Sequence, residues 1–157
     1  MGEGRPAKSY MNAGDKCFFD TNVLVYLYAS DEPAKRERAR SLLAHALEAG
    51  EIVLSAQVLQ EFYVTVTRKS AVGLSLREAE QAVERFSRFR IIPGDTNLVL
   101  AAIRRSRSSK ISFWDSLIVE AARTAGCRVL YSEDLQDGWR IDESLRVINP
   151  FLAEALP

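Results

Sequence analysis

The 157-residue chain contains one histidine, His45, and only two cysteines, Cys17 and Cys127. A single histidine excludes a zinc site made of several imidazoles, and any Ser–His–Asp triad would depend on His45 alone. The cysteines form no C-x-x-C pair, and two lone thiols in a domain of this size are typical of a reducing compartment. These absences favour chemistry that carboxylates carry out.

Net charge and long apolar runs are missing as well. Lys plus Arg number 21 and Asp plus Glu number 21, which argues against binding nucleic acid by bulk positive charge. The longest apolar run, 23–29, has seven residues, whereas a helix needs roughly 20 to span a bilayer. The N-terminal stretch has no apolar signal segment. We therefore predict a cytoplasmic protein that does not contact a membrane.

Short apolar strands alternate with helical segments along the chain. This alternation predicts an α/β fold, namely a three-layer α/β/α sandwich with a mainly parallel central sheet. Residues 1–15 are predicted to be a poorly ordered tail, and residues 16–157 a single domain. Predicted strands cover 16–20, 51–54, 91–92, 128–131 and 146–148, and predicted helices cover 23–29, 34–49, 56–69, 76–89, 96–107 and 113–125.

Two acids follow predicted strands, where a sheet of this kind binds its ligands. Asp20 ends the first strand, and Asp134 lies three residues beyond Tyr131 in the fourth. The competing interpretation makes Asp20 a helix cap and Asp134 part of a solvated turn. We predict that Thr21 or Asn22 caps the helix that follows Asp20.

Two further acids lie on predicted helices. Asp115 shares an apolar stripe with Ile118 and Val119, whereas Glu120 lies on the opposite, polar arc. An acid on the apolar arc is partly desolvated, and this costs several kcal/mol unless a cation or donors compensate it. The sequence from Ser112 to Asp115 also fits a capping box, which is the structural alternative.

Glu61 flanks the apolar arc of the helix that follows the second strand, where a surface glutamate is the competing interpretation. Carboxylates that converge at one sheet edge would repel each other without a cation. Carboxylate oxygens are also the ligands that Mg²⁺ and Mn²⁺ prefer. Such an ion polarises a phosphoryl oxygen and orients water for in-line displacement, and it needs no histidine or thiolate.

Four segments carry these acids in a fixed order. They read FFDTNVLVY at 18–26, SAQVLQEFY at 55–63, SFWDSLIVEAA at 112–122 and LYSEDLQDG at 130–138. Together they resemble the PIN-domain nuclease family, and within it the VapC-type toxins of bacterial toxin–antitoxin pairs. The likeness extends over about residues 16–150. It implies a PIN-like fold and a metal-dependent hydrolysis of RNA that leaves a 5′-phosphate and a 3′-hydroxyl.

The resemblance also implies roles for the residues at matching positions. The catalytic acids would be Asp20, Glu61, Asp115 and Asp134, of which Asp20, Asp115 and Asp134 would bind Mg²⁺ or Mn²⁺ and Glu61 would help to position the nucleophile. Supporting positions would be Thr21, Asn22, Ser132 and Asp137. Glu133 leaves open which neighbouring carboxylate would face the metal.

Charge is segregated along the chain. A basic stretch precedes the Asp115 helix, and we predict that its side chains contact RNA; they are Arg104, Arg105, Arg107 and Lys110. A solvated helix face is the competing interpretation. The resemblance further implies an RNA substrate, a small antitoxin partner and a homodimer.

Two other classes of function stay open. One is a PIN-like module that binds RNA or protein without catalysis. The other is a different Mg²⁺-dependent α/β phosphohydrolase, such as a phosphatase of the haloacid-dehalogenase type. That type has a second aspartate two residues after the first, a position that Asn22 occupies here.

Overall fold

A computed structural model describes residues 11–68 and 72–152. Its strands form one sheet in the order β3–β2–β1–β4–β5, and every neighbouring pair is parallel. This arrangement confirms the predicted α/β fold with a parallel central sheet. The strands are β1 (Lys16–Phe19), β2 (Glu51–Ser55), β3 (Arg90–Ile92), β4 (Val129–Tyr131) and β5 (Arg146–Ile148).

The helices lie between the strands in the predicted order, but α1 covers 21–26 where 23–29 was predicted. They are α1 (Thr21–Tyr26), α2 (Pro33–Ala49), α3 (Ala56–Arg68), α4 (Leu76–Phe86), α5 (Thr96–Ser109) and α6 (Phe113–Thr124). The prediction extended α4 to residue 89, but the helix ends at Phe86. The Ser87 hydroxyl donates to the Glu84 carbonyl at 2.7 Å, and the chain then turns into β3. Residue 69, the predicted end of α3, lies outside the described residues.

Side-chain caps begin most of these helices. Ser75 and Glu78 form the predicted capping box of α4, and the Asp95 carboxylate accepts from the Leu98 N–H at 2.8 Å. The prediction for α1 was wrong, because its cap is Asp20 rather than Thr21 or Asn22. Thr21 already belongs to the helix, and its N–H donates to the Asp20 carboxylate at 2.7 Å.

The apolar core surrounds the sheet. Phe18, Val53 and Leu130 lie side by side on β1, β2 and β4 and are fully buried. Cys17 and Cys127 are free thiols inside this core, and desolvation raises the pKa of each to about 12. Both therefore act as buried apolar side chains rather than as nucleophiles.

Part of the predicted tail contacts the domain. Met11 is buried in the core, the Gly14 N–H donates to the Ala49 carbonyl at 2.8 Å, and the Asp15 carbonyl accepts from the Glu51 N–H at 3.0 Å. The ordered chain therefore begins no later than Met11, and residues 1–10 lie outside the described residues. No helix in the described ranges is long and apolar enough to cross a membrane.

Candidate active site

The first feature of the site is the adjacency of Asp20 and Ser132 at the carboxyl edge of the sheet. Phe19 of β1 pairs with Tyr131 of β4, so the residues that follow them leave neighbouring parallel strands together. The Asp20 N–H donates to the Tyr131 carbonyl at 2.9 Å, and the Ser132 hydroxyl donates to Asp20 Oδ2 at 2.7 Å. Strand order therefore joins two residues that lie far apart in the chain.

Asp20 is the most deeply buried carboxylate of the site, with 5% of its surface exposed. Its Oδ1 accepts from the Thr21 N–H, and its Oδ2 accepts from Ser132. Desolvation raises the pKa of Asp20 to about 6, the bonds from Ser132 and Thr21 oppose this shift, and the charges of Asp134 and Glu61 add to it. Asp20 is thus a carboxylate whose negative charge is incompletely compensated.

Glu61 faces the same edge from α3. The Thr21 hydroxyl donates to Glu61 Oε2 at 2.7 Å, and Gln57 Nε2 donates to Glu61 Oε1 at 2.8 Å. Gln57 also donates to the Trp114 carbonyl at 3.2 Å, which ties α3 to the first turn of α6. The sequence interpretation missed Gln57, although its position four residues before Glu61 places both on one helix face.

Asp115 lies in the first turn of α6 and is partly buried. Its N–H donates to the Ser112 hydroxyl at 3.0 Å, so Ser112 caps the helix as predicted. Desolvation raises the pKa of Asp115, a hydrogen bond from Ser112 lowers it, and the charges of Asp134 and Glu61 raise it further. The same two acids therefore act electrostatically on both Asp20 and Asp115.

The neighbouring acids Glu133 and Asp134 face different partners. Asp134 Oδ2 accepts from Asn22 Nδ2 at 2.9 Å, which directs this carboxylate toward the end of β1. Glu133 accepts from the Tyr26 hydroxyl at 2.6 Å and forms an ion pair with Lys35. Desolvation opposes ionisation of Glu133, but the hydrogen bonds from Lys35 and Tyr26 outweigh it and lower the pKa. Of these two acids, Asp134 is therefore the one directed toward the end of β1, where Asp20 lies.

Two clefts meet at Asp134. The larger, of about 510 Å³, is lined by Thr21, Asn22 and Glu61 in addition to Asp134. The smaller, of about 340 Å³, is lined by Asp115 and Asp134. Asp134 therefore stands between an α1–α3 side and an α5–α6 side of one continuous acidic region.

The other predicted supporting acid has a different environment. Asp137 Oδ1 accepts from the Asn149 N–H at 2.8 Å and so anchors the loop before β5 to the chain after it. Among the described residues, Asp137 is not one of those that line either cleft. The structure therefore brings together the predicted residues at the ends of β1 and β4 but uses Asp137 as a loop anchor.

The basic residues at the end of α5 have different environments. Arg105 Nε donates to Glu120 Oε1 at 2.8 Å, and Arg123 Nε donates to Glu120 Oε2 at 3.0 Å. The placement of Glu120 on a polar arc was wrong, because only 3% of its surface is exposed and two guanidinium groups compensate its charge. Arg104, Arg107 and Lys110 are exposed.

The donor chemistry at the sheet edge suits a hard divalent cation. All four predicted acids supply carboxylate oxygens, and a cation would offset both the desolvation that mainly raises the pKa values of Asp20 and Asp115 and the repulsion that adds to it. No preassembled cage exists, however: in residues 11–68 and 72–152, no group of three or more His, Cys, Asp or Glu side chains is arranged to hold a metal. The residues thus fit such an ion by oxygen type and by charge.

A parallel α/β domain with carboxylates at the ends of its strands is shared by a broad class of proteins whose functional sites are acidic. Within that class, a family model for the PIN domain matches residues 17–136, and the chain therefore belongs to the PIN domain family. PIN nucleases generally use divalent metal ions. No curated protein sequence matches the chain.

Solved structures with a similar fold include three bacterial examples. Mycobacterium tuberculosis VapC20, a toxin that cleaves the sarcin–ricin loop, is 24% identical, with a TM-score of 0.60 over 75% of this chain and 89% of that chain. A toxin–antitoxin complex from Klebsiella pneumoniae is 18% identical, with a TM-score of 0.65 over 86% and 98%. DNA-bound VapBC from Salmonella typhimurium is 20% identical, with a TM-score of 0.58 over 84% and 96%.

Proposed function

We propose that this protein is a metal-dependent endoribonuclease and the toxin of a toxin–antitoxin pair. The observation that carries the proposal is that Glu61, Asp115 and Asp134 line two clefts that meet at Asp134, with Asp20 buried at the adjacent strand end. Family membership supports the nuclease assignment, since PIN proteins of the VapC type are ribonucleases. The toxins among the solved structures of similar fold support the biological role.

The proposed ligands of Mg²⁺ or Mn²⁺ are Asp20, Asp115 and Asp134. When bound, the ion would offset the carboxylate charges and polarise the phosphoryl oxygen of the RNA. The chain's own contribution is orientation, because Ser132 holds the Asp20 carboxylate and Asn22 holds that of Asp134. These supporting bonds orient each carboxylate at the end of its strand.

Glu61 is proposed to orient the attacking water as a hydrogen-bond acceptor. Hydrogen bonds already hold both of its oxygens, one from Thr21 and the other from Gln57. A carboxylate with fixed oxygens costs little reorganisation when a water molecule binds. Hydrolysis would leave a 5′-phosphate and a 3′-hydroxyl.

The exposed basic residues near the C-terminal end of α5 are proposed to contact RNA phosphates. Arg104, Arg107 and Lys110 are exposed there. Ser109, in the last turn of the same helix, lines the smaller cleft, and Lys110 follows it directly in the chain. Such contacts would position RNA without reading its sequence. Arg105 is bound to Glu120 and therefore contributes less to this surface.

The direct test incubates the protein with end-labelled single-stranded RNA and Mn²⁺, with and without EDTA. Wild-type protein should cut the RNA only with metal, and Asp20→Asn should reduce the rate at least a hundredfold. Glu48→Gln, an exposed acid on α2, is the matched control and should keep the wild-type rate. A phosphomonoester substrate is assayed in parallel, and its turnover without RNA cleavage would support the rival phosphohydrolase.

A second candidate function is a PIN-like module that binds RNA or protein without catalysis. The observation that favours it is the lack, among the described residues, of three acids arranged as a metal cage. The two candidates differ in their response to metal. Mn²⁺ should raise the melting temperature of the wild-type nuclease but not that of Asp20→Asn, whereas a non-catalytic module would show no shift that depends on Asp20.

The proposed protein partner is a small antitoxin. A groove of about 940 Å³ runs between α3 and α4, and exposed Tyr63 and Leu76 line it. Gln60 lines both this groove and the larger acidic cleft, so a segment seated in the groove would continue onto the carboxylates. Co-expression with the product of an adjacent small reading frame should relieve growth inhibition, and Leu76→Glu should weaken that complex.

Two further features of the proposal concern assembly and location. We propose a homodimer, which light scattering on the purified protein would measure directly. The proposed compartment is the cytoplasm, where the free thiols of Cys17 and Cys127 would stay reduced.

A further inference from the structure

The smaller cleft has an apolar side that the proposed hydrolysis does not use. Asp115 and Asp134 line one part of it, and Ile111, Leu135 and Trp139 line another. Hydrolysis of a phosphodiester needs the acids, but it does not need an indole ring beside them. The cleft therefore combines carboxylates with an aromatic side chain to which the proposed hydrolysis gives no role.

The cleft has the size and chemistry of a small-molecule subsite. Its volume of about 340 Å³ lies within the range of roughly 300–1,000 Å³ that ligand pockets occupy. Indole faces stack nucleobases; every base can stack, and differences in stacking strength give a modest preference among bases. Gln136, which also lines the cleft, offers an amide that can donate to and accept from the edge of a base.

The aromatic wall is held in place by the sheet. The Gly138 N–H donates to the Val147 carbonyl at 2.9 Å, and the Val147 N–H donates to the Trp139 carbonyl at 2.8 Å. Gly138 has a φ of +81°, a conformation that side chains other than glycine rarely adopt. These bonds fix to β5 the backbone of the turn that carries Trp139, which lowers the conformational cost of using this residue as a binding surface.

We propose that this cleft binds one nucleobase of single-stranded RNA, next to the phosphodiester that the carboxylates would hydrolyse, with Trp139 as its stacking surface. The inference rests on the proposed nuclease function and extends it to substrate selection. Asp134 lies on the border of both clefts, so a nucleotide with its phosphate near Asp134 has its base within reach of this wall. Exposed Lys110 lies in the chain between Ser109 and Ile111, which both line the cleft, and in this proposal it contacts the phosphates of the RNA.

The first test measures base preference on a random-sequence single-stranded RNA library with Mn²⁺, by sequencing the product ends. Wild-type protein should prefer certain bases at one position adjacent to the cut. Trp139→Leu should abolish that preference and raise KM about tenfold with little change in kcat, because stacking contributes mainly to binding. Trp139→Phe should keep the preference, and Leu47→Ala, an exposed apolar residue on α2, is the matched control.

The second test reads the contact without catalysis. In an Asp20→Asn, Trp114→Phe protein, Trp139 is the sole tryptophan, and a twelve-nucleotide single-stranded RNA should quench its fluorescence. The same oligomer made of abasic residues should bind more weakly and quench less. This measurement also serves if Trp139→Leu fails to fold, since that variant is not needed.

The outcomes separate this inference from the proposed function. Cleavage that depends on Asp20, with unchanged base preference and KM in Trp139→Leu, would overturn the base subsite and leave the nuclease intact. RNA binding detected by anisotropy without quenching of Trp139 would also overturn it. Absence of cleavage that depends on Asp20, together with base-dependent quenching of Trp139, would refute the nuclease and support the base contact.

Discussion

At the scale of single residues, Asp20 is where folding and the proposed chemistry conflict. The side chain is 95% removed from solvent, since 5% of the residue is exposed. Its hydrogen bonds from Thr21 and Ser132 offset only part of the cost of a buried charge. A site that keeps such a carboxylate in the absence of a cation sacrifices stability for function.

Removing this charge should therefore stabilise the metal-free protein. The pKa of Asp20 rises from 3.8 to about 6 on folding, so between these values the folded protein binds more protons than the unfolded one. The free energy of unfolding thus falls as the pH rises through 6, and the total cost above pH 7 is about 3 kcal/mol. Asp20→Asn should recover most of that amount at pH 8 and little at pH 4, by urea denaturation in EDTA.

The control for this experiment is Glu48→Gln, which changes an exposed acid on α2 outside the site. Its effect on the free energy of unfolding should stay within roughly 0.5 kcal/mol at both pH values. An Asp20→Asn effect that is equal at pH 4 and pH 8 would contradict the assignment of the cost to ionised Asp20.

Lys35 is predicted to decide which of two adjacent acids serves the site. It binds Glu133 together with Tyr26, and its ammonium lies 4.7 Å from the Tyr26 ring centroid. Lys35→Met should release Glu133 to compete with Asp134 and slow RNA cleavage about tenfold. The free energy of unfolding should change by about 1 kcal/mol or less, because the pair is partly exposed.

Two companion variants make the test specific. Lys35→Arg keeps the cation and should keep the cleavage rate. Lys35→Met combined with Glu133→Gln removes the released carboxylate and should restore the rate toward that of wild type. A double variant as slow as Lys35→Met would show that Lys35 acts in another way.

The motif-bearing acids could be predicted from the sequence, but their partners could not. Asp20 and Asp134 stand out because they follow strands, and the sheet edge is where they meet. Gln57 and Lys35 gave no comparable signal, since each becomes relevant only through a contact with a residue distant in the chain. Burial of Glu120 was mispredicted for the same reason: its cations come partly from α5.

At the scale of elements, the α5–α6 pair carries a buried ionic contact. Glu120 of α6 binds Arg105 of α5 and Arg123 of its own helix, and the Glu120 side chain is 4% exposed. The two guanidinium groups occupy both carboxylate oxygens. This contact fixes α5 against the helix that carries Asp115, so it also locates one wall of the smaller cleft.

Glu120→Gln should lower the free energy of unfolding by about 3 kcal/mol, because it leaves the largely buried Arg105 side chain, 18% exposed, without its counter-charge. Arg123→Gln removes the more exposed partner and should cost less than about 1 kcal/mol. Urea denaturation curves with a common m-value provide both numbers. Equal losses for the two variants would contradict the ranking of these contacts.

The order and type of elements could be predicted because strands and helices differ in apolar period and in their capping residues. The strands match the predicted places closely, as with β5 at Arg146–Ile148. The cap of α1 could not be assigned from sequence alone, since Asp20, Thr21 and Asn22 are all good cap residues. Which of the three residues serves as the cap depends on where β1 ends, and the pairing of β1 with β4 determines that position.

At the scale of the whole molecule, the zero net charge is a sum over separated regions. Acids meet at the carboxyl edge of the sheet, and exposed cations lie on α5 and at Lys110, just before the helix that carries Asp115. Such a molecule would bind a polyanion locally rather than over its whole surface. Parallel strand order also explains why acids from four separate segments of the chain can meet, which composition alone would not indicate.

The most direct test of the central claim is the single-turnover rate of RNA cleavage in Mn²⁺ for the four acid-to-amide variants and for one double variant. Asp20→Asn, Glu61→Gln, Asp115→Asn and Asp134→Asn should each lose at least a hundredfold. Asp20→Asn combined with Asp115→Asn should be little slower than either alone, because groups that act as a unit are not additive. Wild-type rates in any of the four, or losses that multiply in the double variant, would contradict a single carboxylate site.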